Sequence, residues 1–157
     1  MTRDEVIHGL RERFGAHIME LQDKSPKRLY VDIERQALVP MAEYLFRTLE
    51  ARFNIASGMD TREHIEVLYH FTVEDLNLVV SLRVKAPKEK PVLDSLVPSF
   101  PAANWIEREM NELLGIEFLG HPGMRRLLLS EDWPEGVHPL RQDYTEWDPR
   151  AVRDRGV

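Results

Sequence analysis

Apolar residues recur at two periods along this chain, and the switches between them mark out the elements. Val6, Leu10 and Phe14 stand four apart and so share one stripe of a helix. Thr2 is placed to cap that helix, Asp4 and Glu5 lie near its positive end, and Gly15 closes it. Positions 17–23 can form a short strand. From Leu29 to Glu34 the period drops to two, with Leu29, Val31 and Ile33 on one face and Tyr30, Asp32 and Glu34 on the other, as in a half-buried strand. Pro40 suits the first turn of a second helix carrying Met41, Leu45, Phe46 and Leu49.

Phe53 to Met59 reads weakly as a strand, and two clearer strands follow. Ile65, Val67, Tyr69 and Phe71 share one face of His64 to Phe71. Leu76, Leu78, Val80, Leu82 and Val84 do the same in Leu76 to Lys85. The short link Thr72 to Asp75 predicts an antiparallel hairpin. Helices and alternating strands together predict an α+β fold, a two-layer sandwich of a mostly antiparallel sheet with helices on one face. Pro87, Pro91 and Pro98 mark an extended connector. Pro101 opens a third helix whose buried stripe is expected to be Ile106, Met110, Leu113 and Leu114, with Gly115 at its end. Glu107, Arg108 and Glu109 then fall on its polar side.

Beyond Gly115 the periodicity stops. Residues 116–157 hold Pro122, Pro134, Pro139 and Pro149, with one short apolar run, Leu127 to Leu129. So long a segment without periodicity is unusual inside a domain. Trp133, Tyr144 and Trp147 are more aromatic content than plain disorder carries. The expected organisation is an α+β core over 1–115 and an extended tail over 116–157 that wraps a partner.

Composition narrows the chemistry. There is no cysteine among the 157 residues, which removes disulfides, thiolate nucleophiles and cysteine-held iron–sulfur clusters from this chain. Net charge is −6 with interleaved signs, unlike the basic stripe of a nucleic-acid binder or a polybasic membrane patch. No apolar run approaches the roughly 18 residues of a membrane span, and Met1 to Glu5 lacks the apolar core of a secretory signal. A cytoplasmic chain that meets a membrane only through partners is the expectation.

The candidate groups do not converge on a catalytic pattern. There is no glycine-rich phosphate loop and no nucleophile elbow. His121 and His138 are separated by irregular sequence, so a metal site is a weaker reading than imidazoles satisfying hydrogen bonds while His121-Pro122 and His138-Pro139 fix the path of the tail. His64 and His70 read as surface or interface residues. The Glu107-Arg108-Glu109 block offers a planar fork between carboxylates, suited to anchoring the tail or pairing across a subunit boundary. Arg125 and Arg126 read as interface ion-pairing residues, with Trp133 and Tyr144 as aromatic anchors.

The run from Asn104 to Tyr144 contains Glu107-Arg108-Glu109, Gly120-His121-Pro122, Arg125-Arg126, Asp132-Trp133 and His138-Pro139-Leu140-Arg141-Gln142-Asp143-Tyr144. It resembles the signature of the 30 kDa subunit of respiratory complex I, the C subunit of bacterial NADH-quinone oxidoreductase. The same module occurs in energy-converting, membrane-bound nickel-iron hydrogenases. The resemblance implies a non-catalytic scaffold in the cytoplasmic, peripheral arm of a membrane-bound redox complex. It would pack on the large subunit near a small iron–sulfur subunit. Iron–sulfur clusters, and a nickel-iron centre in the hydrogenase case, would sit in those partners, with no cofactor and no metal in this chain. The implied interface residues are Glu107, Arg108, Glu109, His121, Pro122, Arg125, Arg126, Trp133, His138, Pro139, Arg141, Asp143 and Tyr144. Gly123 and Gln142 depart from the family pattern, which usually has an acidic or polar residue and a basic one there. The segment Asp132 to Val137 is longer than its usual complex I counterpart and leans toward the hydrogenase branch. Complex I proper is the alternative, and an independent small metal-binding enzyme using His121 and His138 is a more distant one.

Overall fold

Along residues 1–145, which the computed structural model describes, the chain runs α1 (Arg3–Phe14), β1 (Ile18–Ser25), β2 (Arg28–Ile33), α2 (Leu38–Arg47), β3 (Arg52–Asp60), β4 (His64–Val73), β5 (Leu78–Pro87), β6 (Val92–Asp94), α3 (Asn104–Leu114) and β7 (Glu117–Leu119). Thr2 caps α1 as expected. Its hydroxyl accepts the Glu5 N–H, and the Glu5 carboxylate accepts the Thr2 N–H at 2.6 Å. The hairpin also forms. β4 and β5 pair antiparallel from His64↔Pro87 to Val73↔Leu78. A single 3₁₀ turn, Glu74–Leu76, joins them, and Asn77 takes the left-handed conformation at φ 48°, which asparagine tolerates better than most residues.

β3 adds antiparallel to β4, β2 adds parallel to β5, and β1 adds antiparallel to β2, giving the order β1-β2-β5-β4-β3. Alternation decides the faces. Leu29, Val31, Ile65, Val67, Tyr69, Phe71, Val80, Leu82 and Val84 are buried in the core shared with α1, α2 and α3. The opposite face carries a polar layer in which Arg83 meets Asp32 at 3.1 Å and Glu66 at 3.6 Å.

The connector is more structured than its prolines suggested. β6 pairs parallel with β7 in a separate two-stranded sheet. Three-residue strands are too short to show a period, so neither was legible. Leu93 and Leu96 are fully buried, and the Phe100 ring stands 5.2 Å from Phe46, 5.9 Å from Phe71 and 6.0 Å from Phe53. Ile116 and Phe118 are buried too, so the core continues past Gly115.

α3 corrects one reading. Ile106 and Leu113 are only half-buried, whereas Glu107 and Arg108, expected on a polar side, are enclosed along with Glu112. The helix is covered from three directions, which a two-faced pattern does not anticipate. Met110 and Leu114 face the sheet, Glu107 faces the connector, and Arg108 and Glu112 face the tail. The approach to the sheet depends on Gly58, where an added Cβ would lie 2.6 Å from Leu114 Cδ1 and 3.1 Å from Met110 Sδ. Gly58→Val should therefore destabilise the fold by about 1–3 kcal/mol through overpacking, despite valine's preference for strands. Thermal unfolding checks this, and an unchanged or raised midpoint would contradict the packing described.

Candidate docking site on the third helix

Arg108 and Glu112 stand one turn apart on α3, at the spacing where opposite charges usually pair with each other. Here both are turned to a third party, the main chain of the tail. Arg108 donates from Nε to the Arg125 carbonyl at 3.0 Å and from Nη2 to the Arg126 carbonyl at 2.7 Å. The Glu112 carboxylate accepts the N–H groups of Leu127, Leu128 (2.9 Å) and Leu129 (3.1 Å). Arg108 and Glu112 thus hold residues 125–129 through their backbone groups. Burial raises the Glu112 pKa, but the three N–H donors and Arg126 outweigh it and leave the carboxyl below its ordinary value.

The end of α3 is satisfied by the same segment. The last carbonyls of a helix have no partner inside it. His138 Nδ1 lies 2.8 Å from the Glu112 carbonyl, the Leu140 N–H reaches the Leu113 carbonyl at 3.0 Å, and Arg141 Nη1 reaches the Leu114 carbonyl at 3.3 Å. A carbonyl only accepts, so the His138 proton belongs on Nδ1. The ring lies on Gly115, at φ 75°, where a Cβ would come within 2.6 Å of it. Any other residue at 115 would meet both left-handed strain and this imidazole.

Farther on, Asp60 gathers the end of the described tail. Its carboxylate sits 2.7 Å from Lys88 Nζ and 3.6 Å from Arg141 Nε, and accepts the Gln142 N–H at 2.8 Å. Burial raises its pKa, but Gln142, Lys88 and Arg141 together lower it below the ordinary value. Arg126 donates to the carbonyls of Ser130 (2.7 Å) and Trp133. Trp133 Nε1 donates to the Val137 carbonyl at 2.8 Å, and its ring stacks on Tyr144 at 6.2 Å. A cleft of about 400 Å³ lies between Lys88, Gly115, His138, Arg141 and Tyr144. Lys88 and Arg141 are already engaged by Asp60 and carbonyl groups, so among the described residues the cleft offers no uncommitted cation.

The sequence candidates are therefore unevenly placed. Arg108, Arg126, Trp133, His138, Arg141 and Tyr144 converge on the tail, while Glu107 is enclosed against the connector. Glu109 and Pro139 are half-buried, and Pro122, the Arg125 side chain and Asp143 are exposed. His121 stands at the other end of α3, with Nε2 3.4 Å from the Asn104 carbonyl and Nδ1 accepting the Gly123 N–H at 3.1 Å. Eight residues of helix, about 12 Å at 1.5 Å per residue, separate its anchor from that of His138. His64 pairs with Glu66 at 2.6 Å and His70 with Ser81 at 2.8 Å, each separately. Trp147 lies outside the described residues. Sequence reasoning missed Glu112 and Asp60 as anchors. An acid four residues after Arg108 was a usable signal for the first, whereas nothing local marks Asp60. With the tail backbone turned inward, Trp105, Met124, Leu128 and Leu140 point outward, and Trp105 and Leu128 are 69% and 60% exposed.

Comparison with known proteins gives this arrangement a family context. The family model described as respiratory-chain NADH dehydrogenase, 30 kDa subunit, matches residues 31–149. The C subunit of the F420H2 dehydrogenase of Methanosarcina mazei is 33% identical over 98% of this chain and 99% of its own length. Hydrogenase-4 component G of Escherichia coli K12 is 28% identical over 92% of this chain, which spans only 27% of that protein. A chain in the structure of the membrane-bound sulfane sulfur reductase, an archaeal respiratory membrane complex, superposes with a TM-score of 0.77 over 92% of this chain and 86% of that one, at 18% identity. At that identity it attests the fold alone.

Glu112→Ala should open the tail. Trypsin cleavage after Arg125 and Arg126 should accelerate at least tenfold in the variant, since losing hydrogen bonds to a charged acceptor costs about 1.5–3 kcal/mol each. The native clamp should also weaken in acid. A lowered carboxyl pKa gives stability that is present above the usual carboxylate range and is lost as pH falls through the lowered value. Equal cleavage of variant and native chain would contradict the clamp.

Proposed function

The chain belongs to the respiratory-chain NADH dehydrogenase 30 kDa subunit family, and we propose that it is a non-catalytic scaffold in the peripheral arm of a membrane-bound redox complex, packing against the large subunit and near a small iron–sulfur subunit. The observation that carries this is the backbone clamp. Arg108 and Glu112 spend their charges on main-chain groups of residues 125–129, so the outward side chains of that segment, with Trp105, stay available to another protein. Arg125, Met124 and Leu128 would touch the partner directly. Glu107, Arg108 and His138 would position the surface from behind it.

Iron–sulfur clusters, and a nickel-iron centre in a hydrogenase-type complex, would reside in the partners. Among the described residues no helix is long and apolar enough to cross a membrane, and attachment on the cytoplasmic side would run through the complex. The end-to-end likeness to a dehydrogenase component of the same length supports a dehydrogenase-type large subunit. The Trp133-Pro134-Glu135-Gly136 segment and the likeness to a hydrogenase component support the second reading, a nickel-iron hydrogenase type.

Affinity purification of the chain from gently solubilised native membranes, with a nickel assay, tests both. A large subunit should co-purify, without nickel in the dehydrogenase reading and with it in the hydrogenase one. Leu128→Asp should reduce that recovery more than tenfold, because it forfeits about 1.5–3 kcal/mol of apolar burial and buries a charge. Recovery of the native chain alone would overturn the scaffold reading.

A further inference from the structure

Glu107 is the most enclosed charged group among the described residues, with no exposed surface at all. Its partners are two neutral donors on the connector. The Ser95 hydroxyl reaches Oε2 at 2.6 Å and the Leu96 N–H reaches Oε1 at 2.7 Å, while Ser95 Oγ itself accepts the Val97 N–H at 3.1 Å. Among the described residues no lysine, arginine or histidine forms an ion pair with it. The adjacent Arg108 is turned away to the carbonyls of residues 125 and 126. Tyr69 on β4 is the titratable group from a packed element that feels its charge, and it is not a cation; Asp94, next to the turn, bears on the same Tyr69 hydroxyl. Asp94 is itself paired with Arg35 at 3.2 Å. The Tyr69 hydroxyl is fully buried and makes no hydrogen bond among the described residues, so the surroundings of Glu107 there are short of hydrogen-bonding capacity as well as of positive charge.

A carboxylate in such a place is costly, since a buried charge without an opposite charge normally neutralises instead. We propose that Glu107 is an internal proton-binding site that exchanges one proton with solvent and resets the hydrogen bonds joining α3 to the 95–97 turn. The proton adds to Oε2, and the charged carboxylate becomes a neutral carboxylic acid. The new O–H donates to Ser95 Oγ, so the Ser95 hydrogen no longer points at Glu107 and turns elsewhere. The Leu96 N–H keeps its acceptor. Burial, opposed by the Ser95 and Leu96 hydrogen bonds, pushes the Glu107 carboxyl up to about 7, consistent with this exchange.

The linkage has a definite sign. A raised carboxyl pKa means that the folded chain binds this proton more tightly than the unfolded chain does. Its contribution is therefore fully present below the usual carboxylate range, is lost as pH rises to about 7, and is flat above that. The expected loss in the folding equilibrium constant across this window is on the order of a hundredfold.

Carboxyl-carbon NMR of the glutamate-labelled full chain, titrated from acid to alkaline pH, tests the site, with Glu107→Gln identifying the signal. One resonance should move with a midpoint near 7, and the Leu96 and Val97 amide shifts should move with it. Stability of Glu107→Gln should lack the fall with pH that the native chain shows over the same range. A Glu107 resonance that titrates in the ordinary carboxylate range would overturn the proposal, as would parallel stability curves. If the variant does not fold, backbone-directed assignment of the native chain leaves the titration decisive by itself.

Discussion

A helix that must bind two irregular segments at once has few ways to do so, and α3 uses one of the most economical. Charged side chains that accept or donate several hydrogen bonds can hold a main chain without dictating its sequence. Arg108 and Glu112 together take the backbone groups of residues 125–129, and the orphan carbonyls of Glu112, Leu113 and Leu114 take the donors of residues 138–141. Glu107 does the corresponding work for the connector, through Ser95 and Leu96. The 95–97 turn and residues 125–141 are thus organised largely by one helix of eleven residues.

That constraint explains why the sheet and helix meet as they do. For α3 to reach both the connector and the tail it lies close over β3, and Gly58 leaves the room for Met110 and Leu114 to enter. The left-handed turn at Gly115 then releases the chain toward β7 while keeping the carbonyl end of the helix open to His138. Asp60, at the end of β3, ties the far end of the described tail to the same strand that supports the helix. A backbone arranged in this way is fixed while most of its outward side chains stay unused.

Much of this was readable in the residues. Alternation from Leu29 to Glu34 and along β4 and β5 gave the sheet, the Thr2 and Glu5 pair gave the start of α1, and the order of Glu107-Arg108-Glu109, His121-Pro122 and His138 to Tyr144 gave the family. Other features were not readable, for physical reasons. β6 and β7 are too short to show a period. Glu107 looked solvated because hydropathy patterns count a glutamate as polar whether or not neutral donors such as Ser95 enclose it. Arg108 could be read as a fork for the tail, but which groups it holds, and that Glu112 joins it, could not, because their partners are backbone groups, which leave no trace in sequence. Asp60 meets Lys88, Arg141 and Gln142 across long separations that only the fold closes.

Residues 125–141 are held by α3 of the same chain. Amide hydrogen exchange of the isolated full chain tests this most directly. The account predicts that Leu127, Leu128, Leu129 and Leu140 exchange far more slowly than an unstructured peptide, because their N–H groups are bonded to Glu112 and Leu113. Exchange at unprotected rates in the isolated chain, with protection appearing only when a partner protein is added, would contradict it.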